Sequence, residues 1–443
     1  MKNETDESMK PRNLPWPKPQ ARSGAARLLR TACALRLLVL LLLTLPAVVQ
    51  AQFDYTTNNG TITITGYTGP GGAVAIPDTI NSLPVTSIRE YVFYNNSSVT
   101  SVTIPNSVSS IGYSAFHGCT SLKSVTMPSS ITNIGHAMFA YCASLASVML
   151  PSSVTYIGED AFYRCTSLTS ITIGSGVASI RLRAFEGCTN LATITVDPGS
   201  FTYSNVDGVL FNKGQTTLIK CPEGKTGNYT IPSSVITIGE RALYGCASLT
   251  SVTIPSSVTS IRTFAFYHCT SLTSVTIPSS VARIGLATFS GCTSLATITI
   301  PDSITSIGDS AFRGCTGLNG VYFEGNAPSV GLLAFDSQVS STVYYLPGTA
   351  GWGPTFGGRP TAPWLLPNPL ILNNGSRFGV RTNQFGFVIS WATNASVVVE
   401  ASADLAQPIW TPVGTNTLTD GSSYFSDPQW MNYPARFYRL RSP

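Results

Sequence analysis

The stretch Cys269–Gly291 reads C-T-S-L-T-S-V-T-I-P-S-S-V-A-R-I-G-L-A-T-F-S-G, and Cys292 begins the same phrase again. Cysteines recur every 23 residues in two groups, Cys119, Cys142, Cys165 and Cys188, then Cys246, Cys269, Cys292 and Cys315. Self-similarity at a fixed period of this size is the signature of a repeat architecture. One such phrase cannot bury its own apolar face, whereas stacked phrases can. The chain is therefore read as a solenoid.

Cys246–His268 shows what one turn must do. Its apolar beats are Leu249, Val252, Ile254, Val258 and Ile261. Val252-Thr253-Ile254 alternates, which predicts a short strand with Thr253 facing out. Pro255 has no N–H for a ladder and ends that strand. Ser256-Ser257 is turn chemistry, and Val258–Ile261 is a second short apolar segment. A glycine follows in most turns (Gly112, Gly135, Gly158, Gly239, Gly285, Gly308, Gly331), where a corner with φ > 0 is expected. Arg89, Arg181 and Arg262 occupy that slot in three turns, which predicts a differently built corner there. A phenylalanine stands three residues before most cysteines and is the expected large core filler. Counting that slot from Phe93 to Phe335, with Leu243 as one substitute, gives ten turns. At the spacing of paired strands they make a body about 50 Å long.

Charge separates the ends of the chain. The net charge is +5, with 26 basic and 21 acidic residues. Residues 1–51 hold eight of the former and three of the latter, which leaves 18 of each in the remainder. A neutral remainder has no electrostatic footprint for nucleic acid. The basic segment ends at Arg36, a short aliphatic run follows at Leu37–Leu45, and Val49-Gln50-Ala51 has small residues where a signal peptidase reads. Residues 1–51 are expected to be a secretory signal with a long n-region, cut after Ala51. An uncleaved anchor is the competing reading, but the run is short for a span, and no second apolar span follows.

Export would permit disulfides between turns. The other reading is a ladder of buried thiols filling one repeated slot. Equivalent Cβ atoms in stacked turns should lie about 5 Å apart, beyond the ~3.5–4.5 Å of a disulfide, which favours the ladder. Cys221 falls outside the series.

Residues 52–98 are expected to form an N-terminal cap and first turn, with Asn96 in the first cysteine slot. Repeats follow over 99–335. Residues 189–230 break the period, and Val206–Lys220 reads as a β-hairpin or two enlarged turns. Insertions of this kind project from one face and often carry function. Residues 336–361 are expected to close the solenoid, 362–369 to be a proline-rich linker, and 370–443 to be a small all-β sandwich-like domain.

The phrase C-T-S-L-T-S-V-T-I-P-S-S-V-T-S-I-G-x-x-A-F-x-G resembles the BspA-like leucine-rich repeat family, over roughly residues 53–361. The resemblance implies a right-handed leucine-rich repeat solenoid, mainly β with short helical turns, exported to the cell surface. It also implies adhesion to host or matrix proteins and to other cells. The Phe437-Tyr438-Arg439-Leu440 ending resembles tail domains of exported bacterial proteins.

Catalytic chemistry is sparse. His117, His136 and His268 occupy different repeat slots and would not converge on a metal. Gly308-Asp309-Ser310 lies in a variable slot, and no G-x-S-x-G occurs. No enzymatic activity and no cofactor are expected. The outward strand positions are the better candidates: Ser101 and Thr103, Ser124 and Thr126, Ser170 and Thr172, Ser251 and Thr253, Ser274 and Thr276, Thr297 and Thr299. Ser147, Met149, Thr193 and Thr195 continue the same rows. These hydroxyls could simply keep a strand face soluble, or they could form an uncharged hydrogen-bonding surface. Ordered threonine rows could also bind ice, but a curved sheet and the serine-rich row argue against it. The leading expectation is a secreted or surface protein, monomeric, that binds an extracellular protein or glycan through this face. The alternative is a structural envelope protein whose tail sorts, anchors or binds glycans, with Trp391, Trp410 and Trp430 as candidate sugar platforms or core aromatics.

Overall fold

The computed structural model describes residues 52–336, 340–373 and 377–442. The expected signal segment, 1–51, lies outside the described residues. The repeats form a mainly β solenoid with two parallel ladders. One runs through the strands Val99–Thr103, Ser124–Thr126, Ser147–Val148, Ser170–Ile173 and Thr193–Val196. After the period break it continues from Gly227–Thr230 through Leu249–Thr253, Ser274–Val275, Thr297–Ile300 and Gly320–Phe323 to Thr342–Tyr345. The other carries two-residue strands such as Tyr156–Ile157 and Ser179–Ile180. Register follows the period: Ser170 pairs with Thr193 and Tyr156 with Ser179. Among the described residues the one helix is a 3-10 turn at Trp430–Asn432, outside the repeats. The short helical turns anticipated in the repeats are runs of hydrogen-bonded turns instead.

The phenylalanines do form the core. Phe93, Phe116, Phe139, Phe162 and Phe185 stack at centroid spacings of 5.1–5.8 Å. A second stack runs through Phe266, Phe289, Phe312 and Phe335. Full burial of each such ring stabilises by about 1.5–3 kcal/mol. All nine cysteines of the described residues are buried free thiols. Each regular cysteine uses its Sγ as a donor across a turn: Cys142 to the Phe116 carbonyl, Cys165 to Phe139 and Cys292 to Phe266, at 3.1–3.2 Å. The same carbonyl also receives a backbone N–H from its own turn, as Cys142 N donates to Phe139 O. The thiol thus fills a second lone pair.

The serine pair after proline has a comparable task. Ser153, Ser257 and Ser303 donate through Oγ to the carbonyls of Ile131, Val235 and Val281 in the preceding turn.

The glycine slot works differently from the expectation. Gly112, Gly158, Gly239 and Gly308 do not have positive φ. They are small because turns approach closely there: a Cβ would lie 2.8 Å from Gly135 C at Gly158 and 2.7 Å from Leu218 O at Gly239. Positive φ falls two residues later, on Ser114, Ala137, Asp160, Arg241, Phe264 and Ala287. This turns each N–H onto a carbonyl of the next turn, such as Ala137 N onto Glu159 O and Phe264 N onto Leu286 O. Arg89, Arg181 and Arg262 keep the ordinary corner. Their N–H groups donate to Ile64, Ile157 and Ile238, as Gly158 N donates to Ile134.

The period break is a three-stranded antiparallel meander. Tyr203–Val206 pairs with Val209–Asn212, and the latter with Thr217–Lys220. Asp207-Gly208, both with positive φ, close the first hairpin. Thr217–Lys220 then returns to parallel pairing with Thr237–Ile238. Cys221 occupies the phenylalanine slot of this turn: its N–H donates to Ala242 O just as Phe266 N donates to Thr288 O.

At the amino end Phe53–Asn58 lies antiparallel on Thr61–Tyr67, covering the first open edge. At the other end Arg359–Pro363 adds a parallel strand to Thr342–Tyr345. Ala362 and Pro363 therefore belong to the ladder rather than to a linker, because their backbone still faces an open edge. The tail is an antiparallel pair of sheets. Gln384–Ser390 pairs with Leu370–Leu372, Gly379–Arg381 and Ser422–Asp427, and Ser396–Ser402 pairs with Thr411–Thr417 and Phe437–Arg441. Phe387, Ile389, Val397, Val399, Leu418 and Phe425 are its core. Leu346 of the last turn is buried with Leu372 and Val388 of the tail, flanked by Trp364 and Leu366.

Candidate functional site

Strand alternation decides which side chains face solvent. Val102, Ile171, Val252 and Ile298 point into the core, each at most 3% exposed. The hydroxyls between them point out. Thr103, Ser124, Thr126, Ser170, Thr172, Thr253, Ser274, Thr276, Thr297 and Thr299 are exposed, and Ser101 and Ser251 are partly so. Ladder register aligns them in rows: Ser101 with Ser124, Thr103 with Thr126, and Ser251 with Ser274. Neighbouring hydroxyls also bond each other, as Thr172 Oγ1 and Thr195 Oγ1 do at 2.8 Å. Asn228 extends the row across the break, its Oδ1 accepting from Ser251 Oγ and Thr250 Oγ1. Met149, 85% exposed, is the one apolar interruption in the rows named here.

The row through Thr299 ends in aromatic residues, whereas the row through Thr297 continues to Gly320 and Thr342. Thr299 pairs with Tyr322 and Tyr322 with Tyr344. The two tyrosine rings stack at 4.8 Å, and Trp364 lies 5.0 Å from Tyr322. Alternation in Val321-Tyr322-Phe323 could have placed Tyr322 on this face. Trp364 could not be placed, since it follows the strand Arg359–Pro363, where the sequence was read as the end of a cap and a linker.

The structure does not collect the other candidates into one site. His117 stacks on Tyr94, and His268 lies tilted against Tyr267. Among the described residues no three His, Cys, Asp or Glu side chains gather as a metal site. Burial pushes the Cys119 and Cys188 thiols up to about 12, which keeps them protonated and unreactive. In the tail, Trp391 packs against the core, Trp410 lies under the Arg439 guanidinium, and Trp430 donates to the Asn383 carbonyl.

Sequence reading missed a charged cluster at the period break. Lys220 Nζ donates to Glu223 and to the Tyr244 carbonyl, Arg241 pairs with Glu186 at 3.0 Å, and Arg183 pairs with Asp160 at 2.6 Å. Arg241 and Glu186 lie 55 positions apart, so no local spacing announces the cluster.

The comparisons with known proteins agree with this architecture. The model of the BspA type leucine rich repeat region matches residues 86–212 and 223–342, in six copies. The chain belongs to the BspA-type leucine-rich repeat family. A leucine rich cell surface protein from Faecalibacterium prausnitzii A2-165 is 33% identical over 66% of this chain and 93% of its own, with a TM-score of 0.49. A leucine-rich repeat protein from Eubacterium ventriosum ATCC 27560 is 27% identical over 65% of this chain and 81% of its own, with a TM-score of 0.52. No curated protein matches the chain. Among the described residues no helix is long and apolar enough to cross a membrane.

Proposed function

We propose that this BspA-type protein is exported and held at or beyond the cell surface, where its hydroxyl-lined sheet face binds an extracellular protein or glycan. The observation that carries the reading is the pair of aligned, solvent-facing Ser/Thr rows, which hold no charged side chain and of which the Thr299 row runs on to Tyr322 and Tyr344. Such a surface offers donors and acceptors at the strand spacing without the desolvation cost of ions. Export is supported by the basic segment and apolar run before Ala51, and a surface location by the description of the Faecalibacterium relative. The protein acts as a monomer and as a binding module rather than an enzyme.

The test is saturable binding of the immobilised full chain to a panel of matrix proteins and polysaccharides. Thr253→Lys with Thr276→Lys should abolish binding. Folding should shift by no more than about 0.5 kcal/mol, since both residues are exposed. A double variant that binds like the unaltered protein would remove the face from the reading. Absence of binding at micromolar concentration would remove adhesion itself.

A further inference from the structure

At the period break a cleft of about 150 Å³ opens between the Ile180–Glu186 turn, the inserted meander and the turn at Glu240-Arg241. It lies beside the second-strand ladder, away from the hydroxyl rows. Its apolar wall includes Phe185, Leu210 and Ile219. Four cationic side chains line it (Arg181, Arg183, Lys220 and Arg241) against two carboxylates, Glu186 and Glu240.

The cations are not equivalent. Lys220 is engaged by Glu223 and the Tyr244 carbonyl. Arg241 gives one terminal nitrogen to Glu186 and lies over the rings of Tyr244 and Phe264, at 4.9 and 4.5 Å. Arg183 gives one terminal nitrogen to Asp160 at 2.6 Å, with Glu159 3.5 Å from the same nitrogen, and lies over Tyr163. Both guanidinium groups are thus fixed before any ligand arrives. The Nε–H of Arg183 and the Nε–H of Arg241 are nevertheless buried without an acceptor, as is Asp160 Oδ1 without a donor. An unsatisfied buried donor is costly, and on two preorganised arginines it marks a place for an anionic acceptor. The apolar wall adds a second requirement. A volume of this order holds a benzene-sized body.

We propose that this cleft is a carboxylate subsite, taking one carboxylate on the Arg183 and Arg241 donors and an apolar body of about benzene size against Phe185, Leu210 and Ile219. The carboxylate could belong to a free small organic acid or to the C-terminal leucine of a partner protein. The site is independent of the sheet face, so the two can fail separately.

The experiment uses the full chain and three acid–amide pairs: benzoate and benzamide, 4-methylpentanoate and its amide, and acetyl-Ala-Ala-Leu as free acid and carboxamide. Binding is read by calorimetry or ligand-observed NMR. The acids should saturate with Kd at or below about 1 mM, and each amide should bind roughly tenfold more weakly. Arg183→Gln and Arg241→Gln should each weaken the acids by roughly tenfold, while Thr253→Lys should leave them unchanged. A peptide acid roughly tenfold tighter than both free acids assigns the site to a protein terminus, and the reverse order assigns it to a small acid. The acid–amide comparison needs no variant, so misfolding cannot mask the answer. Equal binding of acids and amides, or no saturable binding of any acid to a cooperatively melting protein, overturns the proposal.

Discussion

The regular turns and the period break solve one packing problem by opposite means. From Phe116 to Phe162 every turn adds a ring to a stack and a thiol to a carbonyl, and among the described residues no ion pair joins these turns. At the break the phenylalanine slot holds Cys221 and then Leu243, both fully buried, and the neighbouring turns are tied instead by Arg241–Glu186, by Lys220 donating to the Tyr244 carbonyl and by the Gly187 N–H donating to Glu223, which Lys220 also pairs. Periodicity supplies identical neighbours, so a small apolar set suffices. Where the neighbour changes shape, charge pairs bridge surfaces that no longer match. They do so at a desolvation cost that apolar packing does not carry.

The contrast can be broken at either side. Phe139→Ala removes a fully buried ring from the middle of a stack and should cost about 3–5 kcal/mol in urea denaturation. Lys220→Met strands Glu223, whose side chain is 3% exposed, and should cost about 3–5 kcal/mol. Adding Glu223→Leu to it should recover most of that loss, an effect with no counterpart in the phenylalanine stack. A double variant as unstable as the single one would show that the stranded carboxylate is not the source of the loss.

Cys165→Val sharpens the regular side. It keeps the volume but removes the donor to Phe139 O, which retains its backbone N–H from Cys142. The expected loss is about 0.5–1.5 kcal/mol. The unaltered thiols should resist alkylation in the folded protein and react only on unfolding.

The smallest effects are in the pH dependence, where two carboxylates differ in sign. Burial raises the Glu186 pKa, against the opposing pull of Arg241 and Lys220. The folded chain then holds that proton more tightly than the unfolded chain. Its contribution to stability declines as pH rises from the ordinary carboxylate value of about 4.3 through the raised one. Hydrogen bonds from Arg439 and Arg441 lower the Glu400 pKa in the tail. Its contribution is present above the ordinary value and is lost as pH falls through the lowered one. Denaturation across acidic pH should show Glu400→Gln flattening the acid loss, and Glu186→Gln should not flatten it. The same slope in both variants would contradict the assignment.

The 23-residue phrase alone determined the solenoid, the strand alternation, the buried phenylalanine and cysteine columns, and which hydroxyls face outward. Each follows from period and polarity, and stacked identical turns leave one way to bury the apolar beats. Tertiary structure decided what depends on the approach of distant backbone. The glycine slot exists for close contact between turns, and the positive φ lies two residues on. The thiols and the second serines hold carbonyls of the preceding turn. Trp364 joins Tyr322, and Lys220, Arg241 and Glu186 meet around a cleft. These contacts join residues whose separation is set by the fold, and where the period fails no local pattern carries the distance.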